Sequence, residues 1–181
     1  GETERIKDNI REYYKEWLDK TPNSKVMVQA GIPHNEIIRI SRKVNADLII
    51  MGPHTKEYME RRSKMWGMAG STLERVSQRA ACPVMIVTRE AKEEQRFETI
   101  LAATDFSKQS ECAVLYGGQL TRHYKADFIV FNVLPAEGYS QSELAKLAEE
   151  TKERMKKDFE PLLRGIKSVT YEAWEGTPAM E

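Results

Sequence analysis

The chain has 181 residues, with 28 Lys and Arg against 28 Asp and Glu, so its formal net charge is zero. This length allows one domain with additions, or one and a half domains, and a sizeable core. The balanced charge argues against nucleic acid or an anionic membrane as the main partner. Neither an apolar run near the roughly 20 residues of a membrane span nor a signal peptide is visible, so we expect a cytoplasmic location.

Apolar spacing predicts alternating helices and strands in the first half of the chain. Ile6, Ile10 and Trp17 fall on one helical stripe and predict a buried face. In chain order the prediction is a helix over 3–20, a strand over 25–30, a turn over 31–33, a helix over 34–45, a strand over 46–51, a loop over 53–69, a helix over 72–80 and a strand over 83–87. Pro33 suits the first turn of the second helix.

The second half repeats the alternation after a charged stretch at 88–98. The predicted elements are a strand over 99–104, a helix over 108–123, a strand over 127–134, a loop over 135–140, a long helix over 141–163 broken near Pro161, and a strand over 167–174. The strands at 46–51 and 99–104 are apolar at successive positions, as expected of central parallel strands buried on both faces.

Strands that alternate with helices predict an α/β fold with a parallel, doubly wound sheet. A Gly-x-Pro turn follows a helix and a strand twice, at Gly31 and at Gly176, which are 145 residues apart (176 − 31). We therefore interpret 1–88 as the second part of one domain, 89–98 as a charged linker, and 99–181 as the first part of a homologous domain.

The segment 51–72 has the layout that binds phosphates in doubly wound folds. An apolar strand leads into Gly52, a polar loop follows, and Gly70-Ser71-Thr72 opens a helix. Backbone N–H groups at a helix N-terminus attract anions. Ser71 and Glu74 also match a Ser-x-x-Glu capping box, so helix capping is an alternative explanation for the same residues.

Several stretches together resemble the universal stress protein family. They are Ala46-Asp47-Leu48-Ile49-Ile50-Met51-Gly52-Pro53-His54, Gly70-Ser71-Thr72, Ala81-Cys82-Pro83-Val84-Met85-Ile86-Val87, Ile100-Leu101-Ala102-Ala103-Thr104-Asp105-Phe106-Ser107 and Phe131-Asn132-Val133-Leu134. The resemblance covers nearly the whole chain. It implies the adenine-nucleotide alpha hydrolase-like sheet of strand order 3-2-1-4-5, present here as two half-domains of a tandem repeat.

The resemblance also implies a site for an adenine nucleotide, ATP or AMP. Carried over position by position, that site would consist of Met51, Gly52, Thr55, Gly70, Ser71, Thr72, Ala103, Asp105 and Val133. Asp105 would hold the adenosine part, Val133 and Met51 would lie near the adenine, and the phosphates would lie at 70–72. Mg²⁺ could accompany ATP, although no residue pattern requires a metal.

The chain departs from the family's Gly-x2-Gly-x9-Gly-[Ser/Thr] pattern at three points. Thr55 stands where the second glycine is expected, the interval from Gly52 to Gly70 is longer, and Ala103 stands where ATP binders often have proline. The leading hypothesis is a stress-response protein that binds the nucleotide without catalysis, or descends from such a binder. The alternatives are a slow ATPase assisted by Asp105 or Ser71, and an interaction module with a degenerate site.

The interpretation as two half-domains also predicts a partner. Strands with uncovered edges invite pairing, which predicts a homodimer or pairing with a second domain of the family.

Cys82 and Cys112 are expected to be buried free thiols in a reducing cytosol, with a disulfide or a redox role as alternatives. Asp105 could also serve only to cap the next helix together with Ser107.

Overall fold

The computed structural model of the protein describes residues 1–52, 71–87, 96–135 and 137–176. The chain forms two compact units, residues 1–91 and 92–181. Most of the predicted linker at 89–98 and the predicted loop at 53–69 fall outside the described residues.

The first unit contains helices α1 (Glu2–Tyr13), α2 (Lys15–Asp19), α3 (Pro33–Lys43) and α4 (Ser71–Arg79), and strands β1 (Ile49–Met51) and β2 (Val84–Ile86). The strands pair in parallel, with Ile49 opposite Val84 and Met51 opposite Ile86. Helix α3 begins at Pro33, as predicted, because the fixed φ of proline suits the first helical position. Helices α3 and α4 contact each other, and Ile38 and Val76 are buried.

The second unit contains β3 (Thr99–Ala103), α5 (Lys108–Tyr124), β4 (Asp127–Pro135), α6 (Gln141–Phe159) and β5 (Val169–Gly176). The sheet is parallel, in the order β3-β4-β5. Ala102, Phe128, Val130 and Ala173 form its core with side chains from both helices, such as Met155. Helix α6 ends before Pro161, as expected from the clash of the proline ring with a preceding helical residue.

A close approach at Gly117 brings α5 onto the sheet. A Cβ placed on Gly117 would lie 2.8 Å from Cε2 and 3.0 Å from Cζ of Phe128. The Phe128 side chain is fully buried. The absence of a side chain at position 117 therefore lets the Phe128 ring pack directly against the helix backbone.

The predicted α/β class and parallel strands are confirmed, but the burial of both strand faces is wrong. Ile50 is 61% exposed and Leu101 is 58% exposed. Among the described strands, β1 pairs only with β2, and β3 pairs only with β4. In the second unit the core residues alternate along the strands, so α5 and α6 cover one face, and Leu101 lies on the other.

Two further predictions in the first unit are wrong. Residues 25–30 form no strand, and Met27 is exposed, because a strand needs a hydrogen-bonded neighbour and the described sheet of this unit consists of β1 and β2. The predicted helix at 3–20 is interrupted at Tyr14, and no residue of α1 or α2 is buried. Of the predicted apolar stripe, Trp17 is 56% exposed and Ile6 is 40% exposed, whereas Ile10 is half-buried, so the described residues cover this stripe only in part.

Candidate functional site

The carboxyl end of β3 carries a hydrogen-bonded turn over residues 104–107. The Thr104 N–H donates to the Phe131 carbonyl at 2.8 Å, which continues the pairing of β3 with β4. The Asn132 side-chain Nδ2 donates to the Thr104 carbonyl at 2.7 Å. The Phe106 N–H donates to Thr104 Oγ1 at 3.0 Å. The end of β4 therefore holds this turn in place from both its backbone and a side chain.

Asp105 projects from this turn and is exposed. Its Oδ1 accepts a hydrogen bond from the Ser107 backbone N–H at 2.9 Å. Hydrogen bonds from Ser107, first from its hydroxyl and then from its N–H, and from the Ser110 hydroxyl lower the pKa of Asp105 to about 2. The Ser107 hydroxyl has one proton, which it donates either to Asp105 or to Ser110 Oγ at 3.4 Å. The carboxylate is consequently ionised throughout the physiological range.

Ser107 forms the N-cap of α5. Its Oγ accepts a hydrogen bond from the Ser110 N–H at 3.2 Å. Asp105 in turn holds the Ser107 N–H, so the predicted capping role of these two residues is confirmed. This role does not occupy the whole carboxylate of Asp105, because only Oδ1 receives that N–H.

Phe106 lies in the left-handed region, with φ of 65°. This conformation is uncommon for a bulky residue. The Phe106 ring stacks on the buried Phe159 ring at 6.3 Å between centroids. The Arg154 guanidinium carbon lies 3.8 Å from the centroid of the Phe106 ring. These contacts with α6 fix the turn that presents Asp105, and no sequence pattern indicated them.

Of the predicted site residues, Ala103, Asp105 and Val133 belong to the second unit and lie toward one edge of its sheet. Register places Ala103 opposite Phe131 and Val133 opposite Trp174. These four side chains share the face opposite the helices. Trp174 is 63% exposed and contacts Phe131 edge-to-face at 5.5 Å between ring centroids. An apolar surface therefore borders the turn, and the sequence reasoning missed Trp174 as part of it.

The remaining predicted site residues belong to the first unit. Met51 ends β1, and its carbonyl accepts a hydrogen bond from the Val87 N–H at 2.9 Å. Gly52 is exposed, and Thr72 lies half-buried in the first turn of α4. Thr55, Gly70 and the side chain of Ser71 lie outside the described residues, so the predicted glycine loop and the capping box at Ser71 stay predictions.

Both cysteines are free thiols, but their predicted burial is wrong. Cys112 is exposed on α5 and Cys82 is half-buried before β2. Among the described residues, no group of His, Cys, Asp or Glu is arranged to hold a metal ion. Within the same residues, no helix has the length and apolar character needed to cross a membrane.

The sequence model of the universal stress protein family matches residues 2–88 and 96–181. Two universal stress proteins of Methanocaldococcus jannaschii are similar in sequence. One is 43% identical over 63 residues, which cover 35% of this chain and 34% of that protein. The other is 33% identical over 87 residues, which cover 48% of this chain and 51% of that protein.

Among solved structures, a universal stress protein from Archaeoglobus fulgidus superposes with a TM-score of 0.61 at 23% identity, over 94% of this chain and 59% of the other. A putative universal stress protein from Pseudomonas aeruginosa gives a TM-score of 0.58 at 14% identity, over 94% of this chain and 59% of the other. At these identities the likeness concerns the fold alone. The chain spans about a third and about half of the two curated relatives' lengths.

Proposed function

The chain belongs to the universal stress protein family, and on that premise we propose that it binds an adenine nucleotide and acts through binding rather than through catalysis. The observation that carries the proposal is the exposed, ionised carboxylate of Asp105 at the carboxyl end of β3. Ligands of doubly wound folds bind at this edge of the sheet. An ionised carboxylate accepts hydrogen bonds from the ribose hydroxyls of a nucleoside.

The lowered pKa of Asp105 favours binding of the nucleotide over its hydrolysis. A general base works best when its pKa lies near the working pH. The pKa of Asp105 is lowered to about 2 by its hydrogen bonds to Ser107 and Ser110. Asp105 is therefore a poor proton acceptor for an attacking water, which disfavours the slow ATPase in which Asp105 assists.

Each unit offers groups that suit a different part of a nucleotide. Val133 and the exposed Trp174 provide an apolar surface on which an adenine ring could pack. The N-terminus of α4, at Ser71 and Thr72, is the candidate for the phosphates, because its N–H groups attract anions. Asp105 and α4 belong to different units, so a complete site requires one half-domain to combine with a complementary half-domain of the family.

Calorimetric titration with AMP and ATP tests the proposal. Asp105→Asn keeps the shape of the side chain but removes its charge, and we expect it to weaken binding by roughly ten- to a hundredfold, the range for a lost hydrogen bond to a charged group. Asp127→Asn is the matched control, because Asp127 is exposed at the start of β4, at the opposite edge of the same sheet. Absence of binding by the unmodified chain would refute the proposal.

Deoxynucleotides give a sharper test of the role of Asp105. If its carboxylate accepts a hydrogen bond from a ribose hydroxyl, removing that hydroxyl and removing the carboxylate remove the same interaction. The two losses should then fail to add, as in a double-mutant cycle. Additive losses would mean that Asp105 does not contact the ribose. Phosphate release from ATP, compared with Asp105→Asn, tests the ATPase alternative in parallel.

A role in association with a second domain is favoured by a separate observation. Leu101 and Ile50 are exposed apolar side chains on strands that have a described neighbour on one side only. Such strands readily pair with another chain. We expect light scattering to show a dimer, and Leu101→Lys to convert it to a monomer. If the unmodified chain is monomeric and still binds AMP, the proposed association is refuted, whereas the proposed nucleotide binding is not.

A further inference from the structure

A group of arginines flanks the contact between α3 and α4 in the first unit. Arg39 and Arg42 lie three residues apart on α3, and Arg75 and Arg79 lie four residues apart on α4. Both spacings place side chains on one face of a helix. All four side chains are exposed, so the packed helices present cationic groups to solvent.

Three of these arginines line one cleft. Arg39, Arg42 and Arg79 surround an open volume of about 470 Å³, together with Asn35 and the buried Ile38. This volume falls within the range typical of small-molecule sites. Arginines from two helices therefore line one space, together with an asparagine.

The charges around this cleft are not balanced locally. Helices α3 and α4 carry Arg39, Arg42, Lys43, Arg75 and Arg79 against Glu36 and Glu74, a sum of +3 (5 − 2) in a chain whose net charge is zero. Arg39 pairs with Glu36 at 2.6 Å. Among the described residues, no carboxylate lies within salt-bridge distance of Arg42, Arg75 or Arg79.

His34 lies in the contact between α3 and α4, and its burial there and the same positive charges lower its pKa. It is only 7% exposed, and its Nε2 lies 3.3 Å from Nη1 of Arg75. A guanidinium only donates hydrogen bonds, so Nε2 is the acceptor and the imidazole is neutral. Burial lowers the pKa of His34, and the charges of Arg75 and Arg79 lower it further.

We infer that the cleft between α3 and α4 binds a compact polyanion bearing phosphate groups, held by Arg39, Arg42 and Arg79. Guanidinium forks match the paired oxygens of a phosphate and form charge-assisted, bidentate hydrogen bonds. A ligand with several negative charges would offset the local excess of +3. The site is distinct from the N-terminus of α4, because Arg79 lies eight residues beyond Ser71, or about 12 Å along the helix.

Titration of the full 181-residue chain with inorganic tripolyphosphate at two salt concentrations tests the inference. We expect one ligand per chain, and at least a tenfold loss of affinity in Arg42→Glu/Arg79→Glu. Arg5→Glu/Lys157→Glu changes the net charge equally, at exposed positions on α1 and α6, and should bind tripolyphosphate like the unmodified chain. Arg42→Gln/Arg79→Gln provides a second pair without charge reversal, and circular dichroism checks the fold of each variant.

The pKa of His34, followed by NMR of its ring protons, is an independent readout. Bound tripolyphosphate should raise this pKa toward the ordinary value, because its charge offsets those of Arg75 and Arg79. Arg42→Gln/Arg79→Gln should weaken tripolyphosphate binding but leave AMP binding unchanged, which separates this site from the nucleotide site.

Three results would each overturn the inference. They are the absence of tripolyphosphate binding, equal losses in both charge-reversed pairs, and an unchanged His34 pKa at saturation. Two further arms test the ligand class. Citrate that binds as tightly as tripolyphosphate would overturn the assignment to phosphate. A short RNA that binds more tightly would overturn the assignment to a small molecule.

Discussion

Replacing Gly117 by alanine tests the packing of α5 on the sheet. The new Cβ would lie 2.8 Å from Cε2 and 3.0 Å from Cζ of Phe128, and 3.7 Å from Cβ of Ala102. Ordinary van der Waals contact begins near 3.4 Å, so the ring must move by about half an ångström in a close-packed core. Overpacking of this kind costs about 1–3 kcal/mol, whereas alanine gains about 1 kcal/mol over glycine in helix propensity.

Gly118→Ala is the matched control. It makes the same change one position along the helix, but the Cβ would meet Cδ2 of Leu163, also at 2.8 Å. Leu163 belongs to the same buried core, but its terminal methyl group is smaller than the Phe128 ring and needs a smaller rearrangement to move aside. Since the propensity gain cancels between the two variants, we expect Gly117→Ala to be less stable than Gly118→Ala by about 1–2 kcal/mol.

Urea unfolding measures this difference. Fluorescence of Trp174, in a background with Trp17 and Trp66 replaced by Phe, reports on the second unit, to which both glycines belong. A chain of two compact units need not unfold in one step, so a probe within the second unit is needed for a two-state treatment. Equal stability of the two variants, or a more stable Gly117→Ala, would refute the packing argument.

Three other predictions concern single side chains. The lowered pKa of His34 contributes stability that is present above its ordinary pKa of 6.5 and lost as the pH falls below it. Acid unfolding of the first unit should therefore shift to lower pH in His34→Gln. Ser140→Ala removes half of the capping box of α6 and should cost about 1 kcal/mol in urea unfolding. It should also raise the pKa of Glu143, measured by NMR, because that pKa is lowered by hydrogen bonds from Ser140. Arg154→Ala removes the cation–π contact with the turn and should cost roughly 0.5–1 kcal/mol, whereas Asp158→Ala, which removes only its exposed ion-pair partner, should cost less.

Each of these predictions has a distinct contrary outcome. An acid transition of the first unit that His34→Gln leaves in place would mean that other groups set it. A Glu143 pKa that stays low in Ser140→Ala would remove the capping box as its cause. Equal costs for Arg154→Ala and Asp158→Ala would mean that the ion pair, rather than contact with the Phe106 ring, accounts for the contribution of Arg154.

The alternation of helices and parallel strands could be predicted from local signals alone. Pro33 marks a helix start and Pro161 lies just after a helix end, both through sterics. The mainly apolar segments 99–104 and 127–134 predicted the strands β3 and β4. The motif around Asp105 also located the turn after β3, because ligand-binding residues of this fold class follow the carboxyl ends of strands.

The tertiary structure decided which of these elements are covered. Leu101 and Ile50 read as core residues in sequence, but burial depends on what lies across the sheet face, and the described elements of each unit leave these side chains exposed. Residues 25–30 show the same dependence, since a strand exists only with a hydrogen-bonded neighbour. Such neighbours are distant in sequence, and local propensity carries no information about them.

Some features of the candidate site could likewise be predicted from the sequence, and others depend on the fold. The sequence by itself determined that Asp105 follows β3 and that Ser107 can cap α5. Only the folded chain places the Asn132 side chain at the carbonyl of Thr104. It also places Phe159 and Arg154 against the Phe106 ring, and no sequence rule predicts the left-handed conformation of Phe106. The arginine cleft likewise exists only because α3 lies against α4, and this juxtaposition of residues some forty positions apart is a property of packing rather than of either helix.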